Sequence, residues 1–208
     1  QRGEIGRPLY AECRLHDGMV HQKRHDLWVS RTGAAWPAEE EFQYGCVLEH
    51  AGYGIDLLVG LWGAIQQVSA ESRSMLSRRT NGSGRDWGQA TLSFANGCVA
   101  SLIVSSVAPE ERVLQVVGED GVLTLKDVWR ADSPVVLQTR RLPSCDAPAE
   151  YLESPRALPV EIVRAHRYAD SHDVDQMAGV AELATAIGHP AALLGLNARS
   201  VHVLEATL

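Results

Sequence analysis

Between Gly45 and Trp62 the apolar residues Val47, Leu48, Ala51, Ile55, Leu58, Val59 and Trp62 recur every three to four positions. That spacing lines one face of a helix and predicts the first long helical element. On either side the period drops to two. Pro8–Leu15 (PLYAECRL) predicts a strand entered from a Gly3/Gly6 turn. Gln66–Arg73 (QQVSAESR) predicts another after Gly63 stops the helix. The polar stretch from Leu15 to about Glu41, rich in His and Trp, reads as loop. Past the flexible Asn81-Gly-Ser-Gly84 turn, Gln89–Phe94 and Cys98–Ser105 flank Asn96-Gly97, a pair suited to a type I′ hairpin turn. Val113–Val117 and Val122–Leu125 around Glu119-Asp120-Gly121 predict a second hairpin, and Val135–Thr139 one more strand. The proline-containing segment Leu142–Pro159 reads as an irregular connection. Helices over Val174–Ile187 and Ala198–Leu208 close the chain.

A helix set among strands, then sequential strands, then terminal helices is an α+β order, not the strict alternation of a parallel sheet. The expected fold is one domain over 1–208: an open, mainly antiparallel sheet with helices on one face. The alternation of Leu102, Val104, Val116 and Leu123 leaves the other face apolar enough to be covered by a second copy, so a homo-oligomer is expected.

Composition narrows the function classes. With 208 residues, 45% hydrophobic and 22% charged, the chain is globular rather than disordered. Its net charge of −7 removes the electrostatic basis for nucleic-acid binding. No apolar run approaches the roughly 20 residues of a membrane span; Ile55–Ile65 is interrupted by Asp56 and glycines. Cys13, Cys46, Cys98 and Cys145 form no CxxC pair, which points to reduced, buried thiols in a cytoplasmic protein. The chain opens on Gln1 rather than Met, so an internal start is expected, with a further segment upstream.

Candidate chemistry gathers on the first long helix. Glu49, Tyr53 and Asp56 stand at i, i+4 and i+7 and share a face. A phenol between carboxylates can exchange a proton with a substrate hydroxyl or carbonyl; the same spacing also suits a plain, partly exposed helix face. His50 lies one step around the helix and is a second candidate proton carrier or substrate contact. In the loop before the helix, Trp36 is a candidate substrate contact. His16, His21 and His25 with Asp17 and Asp26 lack an HExxH pattern or a nearby cysteine, and no metal is expected. Gly52-Tyr-Gly54 and Gly82-Ser-Gly84 lack the third glycine and the strand-to-helix context of a phosphate loop. Ser72, Ser74 and Ser77 lack the GxSxG context of a hydrolase.

Taken in order, several short motifs resemble the C-terminal domain of the Gfo/Idh/MocA oxidoreductases, the glucose-fructose oxidoreductase and inositol dehydrogenase family. They are Gly3-Glu-Ile-Gly6-Arg-Pro8 before the first strand, the Glu49/Tyr53/Asp56 helix pattern, Phe94-Ala-Asn-Gly97, and Val117-Gly-Glu-Asp-Gly121-Val-Leu. Gly179-Val-Ala-Glu-Leu-Ala184 and His202-Val-Leu-Glu205 complete the set, so the resemblance spans nearly the whole chain. The resemblance implies an NAD- or NADP-dependent hydride transfer on a sugar, cyclitol or related polyol or carbonyl. It places the cofactor on an N-terminal Rossmann domain absent from this sequence and implies assembly through the sheet. It maps the family's catalytic His or Tyr onto Tyr53 and puts Glu49 in place of the usual aspartate. Lys23 and Lys126 do not precede a proline, as the family's catalytic lysine does. Tyrosine at position 53 needs a nearby cation or the cofactor to ionise. The alternative is a cofactor-free domain that binds a small molecule or catalyses a non-redox step; a purely structural assembly module is the third reading.

Overall fold

The computed structural model describes residues 3–76, 83–130, 132–140, 153–159 and 178–208. The elements in chain order are β1 (Pro8–His16), α1 (Ala38–Trp62), β2 (Ile65–Arg73), β3 (Trp87–Phe94), β4 (Val99–Ser105) and β5 (Glu111–Gly118). After them come β6 (Gly121–Leu125), β7 (Val135–Thr139), β8 (Arg156–Leu158), α2 (Ala178–Ala186) and α3 (Pro190–Thr207). The strands form one sheet in the order β2-β3-β4-β1-β5-β6-β7-β8, and the pairs β2/β3, β3/β4, β5/β6, β6/β7 and β7/β8 are antiparallel. This is the open α+β sheet the periodicities predict. By contact density the chain divides into two compact units, residues 13–112 with 203–208, and residues 1–12 with 113–202.

In the first unit the core follows from period. Along β3 and β4, Leu92, Phe94, Ala100, Leu102 and Val104 are buried at alternate positions. Over them lies α1, whose Ala51, Gly54, Ile55 and Leu58 are buried at the three- and four-residue spacing of one helical stripe. At Gly54 the helix rides so close that a Cβ would stand 2.6 Å from Leu102 Cδ1 and 3.2 Å from Leu15 Cδ1.

In the second unit, β5 to β8 form a meander in which Leu123 pairs with Leu137. Two of the sequence motifs meet here. The amides of Glu119 and Asp120 donate to the carbonyls of Arg7 and Ile5, and Arg7 Nη2 lies 2.8 Å from Glu119 Oε1.

Several expectations are corrected. Helix α1 begins at Ala38, seven residues early, but Gly45 has φ 74° and ψ 162°, so Ala38–Tyr44 and Cys46–Trp62 are two helical pieces joined at a break. The turn between β3 and β4 is not type I′. Gly97 N–H donates to Phe94 O, which makes Ala95-Asn96 the central pair, and Gly97 alone takes a positive φ of 85°. A short strand, β8, falls inside the connection expected to be irregular, held by pairing to β7. The last helix starts at Pro190, eight residues before the periodic run, because proline is well suited to a first helical turn. Two short 3-10 helices, Val20–Gln22 and His25–Leu27, break up the stretch read as loop. Positions 174–177, where the penultimate helix is expected to begin, most of the 142–159 connection, Ser77, Asn81, Gly82 and Cys145 lie outside the described residues.

Among the described residues no helix is long and apolar enough to cross a membrane. Cys13, Cys46 and Cys98 are buried and unpaired with one another, and burial pushes the Cys13 and Cys46 thiols up to about 12.

Candidate functional site

The site grows from the C-terminal end of β1. Ala11, Cys13 and Leu15 point inward, and Asp17 follows immediately where the strand ends. The Asp17 amide bonds the Ser105 carbonyl of β4, which fixes the carboxylate beneath α1. Its side chain is only 8% exposed. A buried carboxylate is tenable only with a partner, and the partner is His50 of α1: Nδ1 lies 2.7 Å from Asp17 Oδ2. The other ring nitrogen, Nε2, lies 3.4 Å from Glu49 Oε1. With a carboxylate facing each nitrogen, both must carry hydrogen, so the ring is an imidazolium. Burial alone would drive that proton off. The hydrogen bonds and charges of Asp17 and Glu49 outweigh it and raise His50 to about 9.

Glu49 is held below the usual carboxylate range, first by its hydrogen bond to His50. Glu41 lies on the far side of the Gly45 break and feels the Glu49 carboxylate. Partial burial and then that carboxylate push Glu41 up to about 7. Of the two carboxyls, Glu41 is the one that keeps its proton to higher pH.

Tyr53 lies one turn beyond Glu49 and is 60% exposed. Its ring centre stands 5.9 Å from that of His50 at an interplanar angle of 30°. Asp56 lies further along the same helix and is half-buried. The structure thus brings Glu49, His50 and Tyr53 into one group. Trp36 belongs to a different cluster: its ring packs 5.0 Å from Trp28, 5.5 Å from His25 and 5.8 Å from Phe42. A small antiparallel bridge between Val29 and Ala35 holds this loop, and a hollow of about 580 Å³ opens beside Trp28 and Trp36.

The sequence reading missed Glu41 altogether and weighed Asp17 only as a metal ligand. Among the described residues no group of His, Cys, Asp and Glu is arranged for a metal. Lys23 is spoken for: its Nζ donates to the Asp17 carbonyl at 3.0 Å and pairs with Glu110 at 3.6 Å. Gly52 and Gly54 are mid-helix, where their amides are committed to the helix ladder, so they cannot cradle a dinucleotide phosphate.

The profile described as the GFO/IDH/MocA C-terminal domain matches residues 1–124. The chain belongs to the Gfo/Idh/MocA oxidoreductase family. Solved structures with the same fold include UDP-N-acetylglucosamine 3-dehydrogenase GnnA from Acidithiobacillus ferrooxidans, at 18% identity and TM-score 0.61, covering 98% of this chain and 53% of that one. KijD10, a 3-ketoreductase from Actinomadura kijaniata in complex with TDP-benzene and NADP, aligns at 15% identity and TM-score 0.59, covering 99% and 52%. Levoglucosan dehydrogenase in complex with NADH and levoglucosan aligns at 16% identity and TM-score 0.52, covering 75% and 40%. At these identities the likeness establishes fold. The chain spans about half the length of the first two. No curated protein matches the sequence. In this Gfo/Idh/MocA chain Glu49 and Tyr53 both lie on α1, Glu49 Oε1 at 3.4 Å from His50 Nε2 and the Tyr53 ring beside the His50 ring.

Proposed function

We propose that this chain is the substrate-binding and assembly half of a nicotinamide-dependent oxidoreductase that acts on a sugar, cyclitol or related polyol or carbonyl compound. The observation that carries the reading is the grouping on α1 of Glu49, the largely buried His50 and the exposed Tyr53 at the positions of the family's helix motif. The sugar-linked names of two structures of the same fold, GnnA and levoglucosan dehydrogenase, support the substrate class. NAD or NADP would be held by a Rossmann domain outside residues 1–208, since the glycines here offer no phosphate cradle. That cofactor supplies hydride exchange at a carbon.

The chain's own residues would bind, orient and move a proton. The Tyr53 phenol would bond the reacting oxygen, with Glu49 and Asp56 as its polar support. His50 would hold the Glu49 charge in place and offer a second polar contact. Trp36 would pack against the apolar face of a sugar ring. The open sheet face is the proposed contact between copies of the chain, and the reduced, buried cysteines fit a cytoplasmic protein.

The test is to express the chain with its upstream coding sequence and to screen polyols and sugars for nicotinamide-dependent turnover. Tyr53→Phe is expected to lower kcat about 100-fold while leaving the fold intact, the usual share of a positioned acid–base group. Unchanged kcat in that variant removes Tyr53 from the chemistry. Sugar binding by the chain with no nicotinamide dependence favours the cofactor-free reading instead.

A further inference from the structure

Tyr53 is 60% exposed, so burial does not set the direction of its ring. A phenol that is to meet one substrate oxygen must nevertheless be held to one direction. The surface beside it is fixed. Residues three apart on a helix are neighbours, and the Tyr53 ring lies beside the His50 ring with centres 5.9 Å apart and planes 30° from parallel. At that range an imidazolium attracts the face of an aromatic ring. His50 itself cannot swivel: Asp17 Oδ2 stands 2.7 Å from Nδ1 and Glu49 Oε1 3.4 Å from Nε2, so the ring is pinned at both nitrogens. Asp17 is anchored in turn by main chain, its amide on the Ser105 carbonyl at 2.9 Å and its carbonyl on Lys23 Nζ at 3.0 Å.

Packing does not account for this pair. Removing one partner of a buried ion pair is costly, but the intact pair brings little net stability, because desolvation offsets most of the attraction. Asp17 Oδ1 has, besides, no hydrogen-bond partner among the described residues. Buried carboxylate oxygens are ordinarily bonded, and here the side chain is committed to His50 through Oδ2 alone. Neither position 17 nor position 50 belongs to the 49/53/56 helix pattern, so the pair is this chain's own support beneath that pattern.

Resting on the role of Tyr53 proposed above, we propose that the buried Asp17–His50 pair is a positioning device, which holds the Tyr53 ring in the orientation that presents its hydroxyl to a substrate oxygen. Asp17 fixes the imidazolium, and the imidazolium draws the face of the Tyr53 ring. Asp17 touches no reacting atom; it is a positioning residue. Loss of the pair should therefore act on turnover rather than on affinity, and only while the Tyr53 phenol is present.

The test separates this role from stability by replacing both partners together. Asp17→Leu combined with His50→Leu exchanges the buried pair for apolar side chains, a change that is often neutral or stabilising. In the 208-residue chain, proton NMR is expected to show cross-relaxation between the His50 and Tyr53 rings and Tyr53 side-chain couplings of a single rotamer. In the double variant those couplings should average. A Tyr53 side chain that already averages in the unmodified chain, or that stays in one rotamer in the double variant, overturns the device whatever reaction the protein performs. The second measurement is kinetic, in the enzyme expressed with its upstream segment. The double variant is expected to lower kcat about fivefold, the worth of a cation held against an aromatic face, with KM within about twofold. Added to Tyr53→Phe, the same replacement should lower kcat no further. A full additional loss in the Tyr53→Phe background overturns action through Tyr53 and leaves the oxidoreductase reading untouched. Absence of nicotinamide-dependent turnover removes that reading, and the Tyr53 couplings still decide the positioning.

Discussion

Asp17→Ala is expected to cost about 3–5 kcal/mol of folding stability, the usual price of stripping one partner from a buried ion pair. The His50 side chain is 14% exposed, and without Asp17 its charge would face only Glu49. For a chain of this size the loss lowers Tm by roughly 10 °C. The effect also carries a pH signature. His50 titrates near 6.5 when unfolded and near 9 when folded. Because the folded value is the higher one, its contribution is complete below about pH 6.5 and is lost as pH rises through about 9. Wild type and variant should therefore differ most at pH 6 and converge toward pH 9.5 in urea denaturation. A gap of constant size across that range contradicts the assignment of the charge to His50.

Gly45→Ala is expected to be of comparable severity, about 4 kcal/mol, for two reasons that add. A φ of 74° strains any residue with a Cβ. The new Cβ would also stand 2.5 Å from both the N and the O of Arg85. Gly33→Ala separates the two, because Gly33 has φ 90° and open space around it. That control is expected to lose about 1 kcal/mol. Equal losses at both positions would show that the close approach to Arg85 contributes nothing. Where the Gly45 variant stays folded, displacement of Ala38–Tyr44 should part Glu41 from Glu49 and return Glu41 to the ordinary carboxylate range.

Strands and the apolar stripe of α1 were legible because each follows from local period. Leu92, Leu102 and Val104 alternate, and Ala51, Ile55 and Leu58 recur at helical spacing. The hairpins were legible for the same reason, down to the position of Gly97 though not the turn type, since Asn-Gly fits more than one turn. Of the site, Glu49 and Tyr53 could be read because one helix carries both. Asp17 and Glu41 could not. Asp17 reaches His50 across 33 residues, through the docking of a strand end under a helix, and no local spacing records that. Glu41 sits in register with nothing on a straight helix; only the break at Gly45 brings it to Glu49. The signal was present in Gly45 itself, a glycine in an otherwise unbroken helical run, but period alone assigns it to the start of the helix rather than to a bend within it. The family resemblance, in turn, points to positions 49, 53 and 56 and leaves 17, 41 and 50 in the background.

The seam where Gly45 and Gly84 meet has a genetic corollary. A Cβ on Gly84 would stand 2.5 Å from Gly45 N and 2.7 Å from Phe42 O, so each glycine is blocked by peptide backbone and not by a trimmable neighbour. Shrinking a nearby residue cannot relieve either lesion. A suppressor screen on a Gly45 or Gly84 mutant should therefore return true revertants at the damaged codon, or gains of stability scattered elsewhere, and no allele-specific partner across the seam.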